Sequence, residues 1–360
     1  MEQKIKCNKK AVLKFSGAFI AWVIGSGFAT GQEVLQFFTS YGYRSYIIAL
    51  IVFFGFLFLS EVLLVTGYDH RMEPPFNHFK YFCGQKLGMV YSCLIPVILI
   101  LMMFVLISGA GATFFQYYGI QHYIGSAFMS IAVLCAYLIG FEKLVKIVSS
   151  IGPIIILFLL LMGIITVIKD FDNISQTPKY ESILSRMQSS PHWILSPILY
   201  LSLNFLGGSM YFTQLGISAD TRQEAKYGAL LGGFIVMVAI VIINTSILLN
   251  AENAATLAIP MLFLAQKISS VFGSIFSIAL ILGMFSSCST MMWSVCNRFV
   301  IGGKRGNQIF AVCIAIFTFI LGLFSFTELI GIVFPLIGYM GLPFVICVIY
   351  KGLKQILKPH

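Results

Sequence analysis

Ten apolar runs divide the chain, and each is about as long as a membrane-spanning helix. Such a helix needs roughly 20 apolar residues to cross the hydrocarbon core of a bilayer. Of the 360 residues, 59% are hydrophobic and only 10% are charged, against about 25% charged residues in soluble domains. The runs lie near residues 13–38, 45–67, 88–117, 122–140, 144–168, 193–217, 227–249, 268–297, 307–325 and 329–350. This pattern predicts an all-α polytopic membrane protein with ten transmembrane helices.

Basic residues are distributed unevenly between the loops that join these runs. With the N-terminus in the cytoplasm and alternating helices, 18 of the 23 Lys and Arg residues fall on the cytoplasmic side and 5 outside. The positive-inside rule predicts this asymmetry, and a missed or added span would spoil it. We therefore expect a multi-pass protein of the cell (inner) membrane with cytoplasmic N- and C-termini. The net charge of +10 is then an orientation signal, and nucleic acid is not an expected partner.

Small and polar residues interrupt the first span, where lipid offers no hydrogen-bond partner to a freed backbone group. The interrupting stretch is IGSGFATGQE, from Ile24 to Glu33. A second cluster, LSLNFLGGSMYF, occupies residues 201–212 in the sixth span. Transporters often build their sites from broken helices at corresponding positions of two inverted repeats. The match predicts a 5+5 inverted repeat, with helix 1 broken near 24–28 and helix 6 broken near 204–209.

The repeats would cover residues 1–169 and 193–360, joined by an extracellular loop at 170–192. A break frees amides at one half-helix and carbonyls at the other, and these favour an anion and a cation respectively. A small zwitterion such as an amino acid carries both groups. The alternative for either glycine cluster is close helix packing. The expected substrate-binding residues are Gly25, Ser26, Gly27, Ser202, Asn204, Phe205, Gly208 and Ser209.

Three motifs resemble those of the LeuT-fold transporters of the amino acid–polyamine–organocation superfamily. GSGFATG looks like the first-helix break of amino-acid permeases, and YLSLNF, residues 200–205, is similar to the sixth-helix break of sodium-coupled carriers. GFEKLVKIVSSIGP, residues 140–153, is similar to the entry to their fifth helix. Within this group the chain looks most like the YkvI-type bacterial membrane proteins. The resemblance covers nearly the whole chain.

The resemblance implies a sodium site between the first-helix break and the eighth helix. The matching residues are the carbonyls of Ala21 and Ile24 and the hydroxyls of Ser286 and Ser287. Sodium, as a hard cation, suits such oxygen ligands. Ser289 and Thr290 are alternative hydroxyls, and serine-rich spans also bond back to their own helix. Sodium-coupled carriers place a gating arginine at the position that aligns with Gly31 here, so the outer gate must differ.

Charged residues at membrane depth are functional candidates because their burial is costly. Glu33 is expected to be a gate residue, a substrate-amine partner or a proton carrier, or to form an interior hydrogen bond. Glu61 is expected to be a structural partner or an inner gate. Lys146 is either an anchor or a proton-titrating cation, and Asp220 belongs to a loop cluster suited to an inner gate.

The sequence therefore predicts a secondary active transporter of a small zwitterionic solute, most simply an amino acid. It would work by alternating access coupled to Na⁺ or H⁺. The alternatives are a non-transporting membrane ligand sensor and a proton-coupled carrier of another small organic solute. Neither a nucleotide-binding motif nor an intramembrane hydrolase motif occurs in the sequence, so neither ATP use nor enzymatic activity is expected. No cofactor is expected beyond Na⁺ as a coupling ion, and the expected partners are a small-molecule substrate and the lipid bilayer.

Overall fold

A computed structural model describes residues 7–72, 76–140, 151–299 and 303–357, and every regular element in these ranges is helical. Lys146 lies outside the described residues. The α-helices are α1 Lys9–Val23, α2 Ser26–Ala29, α3 Gln32–Phe37, α4 Ser45–Asp69, α5 His78–Tyr118, α6 His122–Ile139, α7 Ile151–Asp170, α8 Glu181–Leu184, α9 Leu195–Ile217, α10 Arg222–Leu248, α11 Ala251–Ala254, α12 Pro260–Ile268, α13 Ser270–Arg298, α14 Gly303–Leu321 and α15 Phe326–Leu357. Short 3₁₀ turns occupy Thr39–Arg44, Phe171–Tyr180 and Ser185–Met187.

Six of the described helices are long and apolar enough to cross a membrane by length and composition. Many large apolar side chains on the outside of the bundle are exposed, among them Phe128, Ile131, Phe317 and Ile332. Such a surface suits lipid and would be a liability in water. These features make the chain a multi-pass membrane protein. The count of ten spans and their division into two repeats remain predictions.

The first apolar run forms three helices instead of one. Helix α1 ends at Val23, and Ile24 leaves the helical conformation with φ −83° and ψ 60°. Helix α2 is a single turn, and Gly31 then adopts a left-handed conformation with φ 82° before α3 begins. The break therefore lies within the predicted range 24–28.

The predicted break of the sixth helix is wrong, because α9 runs without interruption from Leu195 to Ile217. The Asn204 side-chain amide donates to the carbonyl of Tyr200, and the Ser209 hydroxyl donates to that of Leu206. These polar groups therefore bond to their own helix and do not replace its backbone bonds. The two glycines of this stretch serve packing: a Cβ on Gly207 would meet Trp22, and one on Gly208 would meet the ring of Phe212 in the same helix.

Helix α9 lies at the centre of the bundle, between α4 and α15, while α10 packs against α1 and α4. The α4–α9 crossing depends on two glycines. A Cβ on Gly67 would collide with the carbonyl oxygen of Thr213, and one on Gly216 would collide with that of Leu64. Small residues at such crossings let helix backbones touch, which is the usual way in which membrane helices gain packing contacts.

The chain ends and the longer loops mark two opposite faces of the bundle. The face that carries the described termini, here the terminal face, contains the start of α1, the end of α4 and the start of α10. Contacts there join Asn8 to Glu224 and Arg222 to Asp69. The other face, here the distal face, contains the 3₁₀ turns of residues 171–187 together with α11 and α12. Lys267 and Asp170 form an ion pair there at 2.8 Å.

Candidate functional site

The break at Ile24 and Gly25 leaves backbone acceptors without helical partners. The amide of Ile24 donates to the carbonyl of Ile20 at 2.7 Å, which is the last backbone bond of α1. The carbonyls of Ala21, Trp22 and Val23 lie beyond that bond and form the orphan end of the helix. The negative end of the helix dipole also points there. The end of α1 can therefore accept hydrogen bonds or hold a cation.

Glu33 lies next to this break although six residues separate it from Gly27. It is in the first turn of α3 and is only 7% exposed. A Cβ built on Gly27 would lie 3.9 Å from its Oε2 atom. The turn at Thr30 and Gly31 brings the carboxylate back toward α2: the Thr30 hydroxyl donates to the Gly27 carbonyl at 2.7 Å, and the amide of Gln32 donates to that hydroxyl.

Two side chains of α9 face the Glu33 carboxylate, namely the hydroxyl of Tyr200 and the amide of Asn204. Tyr200 and Asn204 are separated by one helical turn and therefore lie on the same face of α9. Tyr200 is fully buried, and its hydroxyl has no hydrogen-bond partner of ordinary geometry among the described residues. Sequence reasoning found Glu33 and Asn204 but missed Tyr200. The available signal was its position four residues before Asn204 in an otherwise apolar span.

Apolar side chains from two further helices complete the surroundings of Gly27. Leu106 of α5 and Phe334 of α15 each approach within 3.8 Å of a Cβ built on that glycine. Together with Glu33, Tyr200 and Asn204 they form what we call the central cluster, which contains one carboxylate, two polar groups and an apolar wall. Four helical segments that lie far apart in sequence contribute to it.

The remaining predicted substrate residues of helix 6 lie elsewhere on α9. Phe205 packs its ring on Phe56 and Phe212, with ring centroids 5.0 and 5.7 Å away. Ser202 is buried against Gly341 of α15, and Gly208 lies under Phe212. Ser209 is bonded to His78 of α5 through a 3.1 Å contact with Nε2. Of this group, only Asn204 joins the central cluster.

The predicted sodium residues lie on α1 and α13, and α13 packs against α2 beside the break. Ser286 is partly buried, and its carbonyl accepts a bond from the Thr290 hydroxyl within the same helix. Ser289 is buried, and its hydroxyl has no partner among the described residues. Ser287 has an interaction partner. The structure therefore distinguishes Ser289 as a buried oxygen without a bond.

The other predicted gate residues form ordinary polar contacts on the terminal half of the bundle. Glu61 of α4 pairs with Lys226 of α10 at 2.8 Å. Asp220 is exposed, and its backbone carbonyl accepts a bond from Arg71. The N-terminal segment is held by Glu224, whose carboxylate accepts the amide of Asn8 at 2.9 Å.

The distal side of the central cluster is covered by α12. The amide of Met261 donates to the carbonyl of Thr30 at 3.1 Å, and a Cβ on Gly31 would lie 2.7 Å from Met261 Cγ. The side chain of Gln36 also bonds to the carbonyl of Thr327 at 3.0 Å. Residues 34–40 are buried. The route from the distal face to Glu33 is thus closed.

Comparisons with known proteins extend over almost the whole chain. No protein-family model matches. The membrane protein YkvI of Bacillus subtilis strain 168 is 24% identical over 360 residues, which is 94% of this chain and 95% of that protein. YyaD of the same organism is 20% identical over 340 residues, 94% of this chain and 96% of its own length. The structure of MhsT in complex with L-phenylalanine superposes with a TM-score of 0.57 at 13% identity and covers 95% of this chain and 87% of that one.

The structural match covers 95% of this chain, so the fold is shared along nearly its whole length. The sequence matches add relatives of nearly the same length, so the similarity concerns the whole chain and not a single motif. The chain is homologous to the Bacillus subtilis proteins YkvI and YyaD and has the LeuT fold.

Proposed function

We propose that the protein is a secondary active transporter that moves a small zwitterionic solute, such as an amino acid, by alternating access. The observation that carries this proposal is the broken first helix with a buried carboxylate beside it in the membrane interior. A buried charge and freed backbone groups are costly in lipid unless a ligand binds them. The LeuT fold and the L-phenylalanine bound to MhsT support a small amino compound as the substrate.

The closed distal side indicates which conformations alternate. With Met261 seated on Thr30, a solute would reach the central cluster only from the terminal face. We propose that α12 moves away from Gly31 in the opposite state. The charge distribution of the loops supports a cytoplasmic terminal face, so the described conformation would be closed to the outside.

We place the coupling cation between the end of α1 and α13. The carbonyls of Ala21 and Ile24 would supply two ligands, and the facing helix carries the hydroxyls of Ser286, Ser287 and Ser289. The buried, unbonded hydroxyl of Ser289 supports its inclusion. Sodium requires several oxygen ligands in one place, whereas a proton requires a titratable group. Glu33 is the carboxylate that would serve in a proton-coupled version.

Counterflow in proteoliposomes tests this function. Vesicles are loaded with one of the 20 amino acids at a time. For at least one of them, vesicles that contain the protein should accumulate the radiolabelled form and vesicles without it should not. A Na⁺ or pH gradient should drive net uptake of the same amino acid. Ser289→Ala should lose sodium dependence. Thr290→Ala is the matched control, because its hydroxyl bonds to Ser286 in its own helix and should not be a ligand. Absence of protein-dependent flux across the amino acids and small amines, under both gradients, would contradict the proposal.

A further inference from the structure

We propose that Glu33 binds the ammonium group of the substrate, and that the central cluster therefore accepts organic amines whether or not they carry a carboxylate. This inference rests on the proposed transport function and states which group of the substrate is required. The ammonium group is required here, whereas a zwitterion site requires the ammonium group and the carboxylate together.

The charges in the interior of the bundle lead to this assignment. Among the described residues, the buried ionisable carboxylates are Glu33 and Glu224, and no Lys or Arg is buried. Glu224 has backbone partners, since it accepts the amides of Asn8 and Thr221. The three ion pairs in the described ranges involve Asp69, Glu61 and Asp170 and are all at least partly exposed. Glu33 therefore lacks a cationic partner in the part of the chain that the structure describes.

A buried carboxylate without a cation is unfavourable, because desolvation removes more energy than two neutral side chains restore. A ligand with an ammonium group would supply the missing charge. The Tyr200 hydroxyl is fully buried, faces the carboxylate and has no bond of ordinary geometry, so it is available as an oxygen acceptor for a second N–H of the ligand. Glu33 and Tyr200 would then be two acceptors for one ammonium group.

The walls of the central cluster suit the rest of such a ligand. Leu106 and Phe334 both lie within 3.8 Å of a Cβ built on Gly27. At that distance both would be in ordinary van der Waals contact with a methyl-sized group beside Gly27, so they present an apolar wall next to the carboxylate.

A carboxylate on the ligand has fewer partners than its ammonium group. Helix α9 is continuous through residues 204–209 and frees no amides there, which leaves only the start of the single-turn helix α2. A ligand carboxylate would also repel Glu33. The substrate can therefore carry a carboxylate but does not need one.

The test uses matched trios of probes on the purified full-length protein. Each trio contains an amino acid, its decarboxylated amine and its deaminated acid, such as L-phenylalanine, 2-phenylethylamine and 3-phenylpropanoate, or L-leucine, 3-methylbutylamine and 4-methylpentanoate. Binding is measured from the shift of the unfolding temperature with probe concentration, and transport from counterflow. At least one amine should bind as tightly as its amino acid, and no deaminated acid should bind. Glu33→Gln should weaken amine binding by about 30-fold or more, and Glu33→Asp should retain part of it.

A control separates this role from a structural one. Glu328→Gln makes the same chemical change at an exposed carboxylate and should bind amines normally. Without a ligand, Glu33→Gln should unfold at the same or a higher temperature than the wild type, because it removes an unpaired buried charge. A marked fall in that temperature would show that Glu33 is a structural group and would overturn the assignment.

The remaining outcomes distinguish this inference from the proposed function. If deaminated acids bind and are transported, or if Glu33→Gln binds and exchanges amines like the wild type, the ammonium assignment is wrong and the transporter stands. If Glu33→Gln keeps exchange but loses only its response to a pH gradient, Glu33 is a proton carrier and the assignment again fails. If no probe binds or crosses the membrane, both proposals fall.

Discussion

Gly31 occupies the turn between the break and Glu33, and two independent features require glycine there. Its φ of 82° lies in the left-handed region, which residues with a Cβ enter at a cost of about 1–3 kcal/mol. A Cβ would also lie 2.7 Å from Met261 Cγ and 3.4 Å from its amide nitrogen. The absence of a side chain at Gly31 thus lets Met261 approach closely enough for its amide to donate to the carbonyl of Thr30.

The first prediction concerns Gly31→Ala. We expect the free energy of unfolding to fall by roughly 2–4 kcal/mol, since backbone strain and a steric clash add. The measurement is thermal unfolding of the purified protein in detergent. Gly119→Ala is the matched control, because Gly119 has φ 68° and nothing within 4 Å of its Cβ position. An equal loss in both variants would mean that the Met261 contact contributes nothing, and Met261→Ala should restore part of the Gly31→Ala loss.

At this scale the sequence predicted Glu33 and Asn204 but not what brings them together. A carboxylate in an apolar run is visible in the sequence because its burial is costly. The approach of Glu33 to Gly27 depends on the left-handed turn at Gly31 and on helices far away in the chain. Tyr200 and Met261 are ordinary residues for a membrane helix and a loop helix. Only the tertiary fold gives them a role.

At the scale of elements, the same sequence cue led to two different structures. Both GSG in the first span and LGGS in the sixth combine glycine with polar residues, yet only the first breaks its helix. In the first, the Thr30 hydroxyl bonds to the Gly27 carbonyl, and Gly31 turns the chain. In the sixth, the side chains of Asn204 and Ser209 bond to carbonyls three or four residues earlier, which leaves the backbone ladder intact. Composition does not distinguish these cases, because the deciding factor is where each hydroxyl or amide finds its acceptor.

Hydrogen exchange tests this difference, which is the second prediction. Backbone amides of residues 200–212 should exchange as slowly as those in the middle of α4, because helical bonds protect them. Amides of residues 24–31 should exchange at least tenfold faster, since helical bonding is interrupted there. Mass spectrometry of peptides from detergent or nanodiscs gives both rates. Fast exchange confined to residues 204–209 would restore the broken sixth helix and, with it, the zwitterion site that the sequence predicts.

At the scale of the whole molecule, the sequence predicted an all-helical membrane protein because hydrophobic length and charge bias depend little on tertiary detail. The described helices lie within or overlap all ten predicted runs, although six satisfy the length and composition criteria for a span. The hydrophobic pattern of the sequence does not predict that the distal side is closed. That closure depends on α12, a nine-residue helix outside the long apolar runs, and on polar contacts between loops.

One such polar cluster joins the two predicted repeats at the distal face. Asp170, at the end of α7, accepts a bond from Lys267 at 2.8 Å and one from Asn250 at 2.9 Å. Lys267 also donates to the Asn250 side chain at 2.7 Å. Burial alone would raise the pKa of Asp170, but the hydrogen bonds and the positive charge of Lys267 outweigh it and lower the pKa. The cluster thus favours the charged carboxylate in the folded state.

The third prediction follows from the sign of that shift. A carboxyl whose folded pKa is lowered stabilises the protein above its unfolded pKa, and this contribution is lost as the pH falls through the folded value. Its contribution should be fully present at neutral pH and should decline progressively as the pH falls below the ordinary aspartate value of about 4. Because the Lys267 side chain is 44% exposed, we expect about 1 kcal/mol or less, or a few degrees of unfolding temperature at most. The unfolding temperature of the wild type should therefore exceed that of Asp170→Asn at pH 7, and the difference should shrink steadily as the pH is lowered below about 4.

Asp172→Asn is the control, because it is an exposed change two residues away and should match the wild type throughout. A difference between the wild type and Asp170→Asn that stays constant from pH 7 to the lowest pH measured would show that the contacts of Asp170 do not depend on its charge.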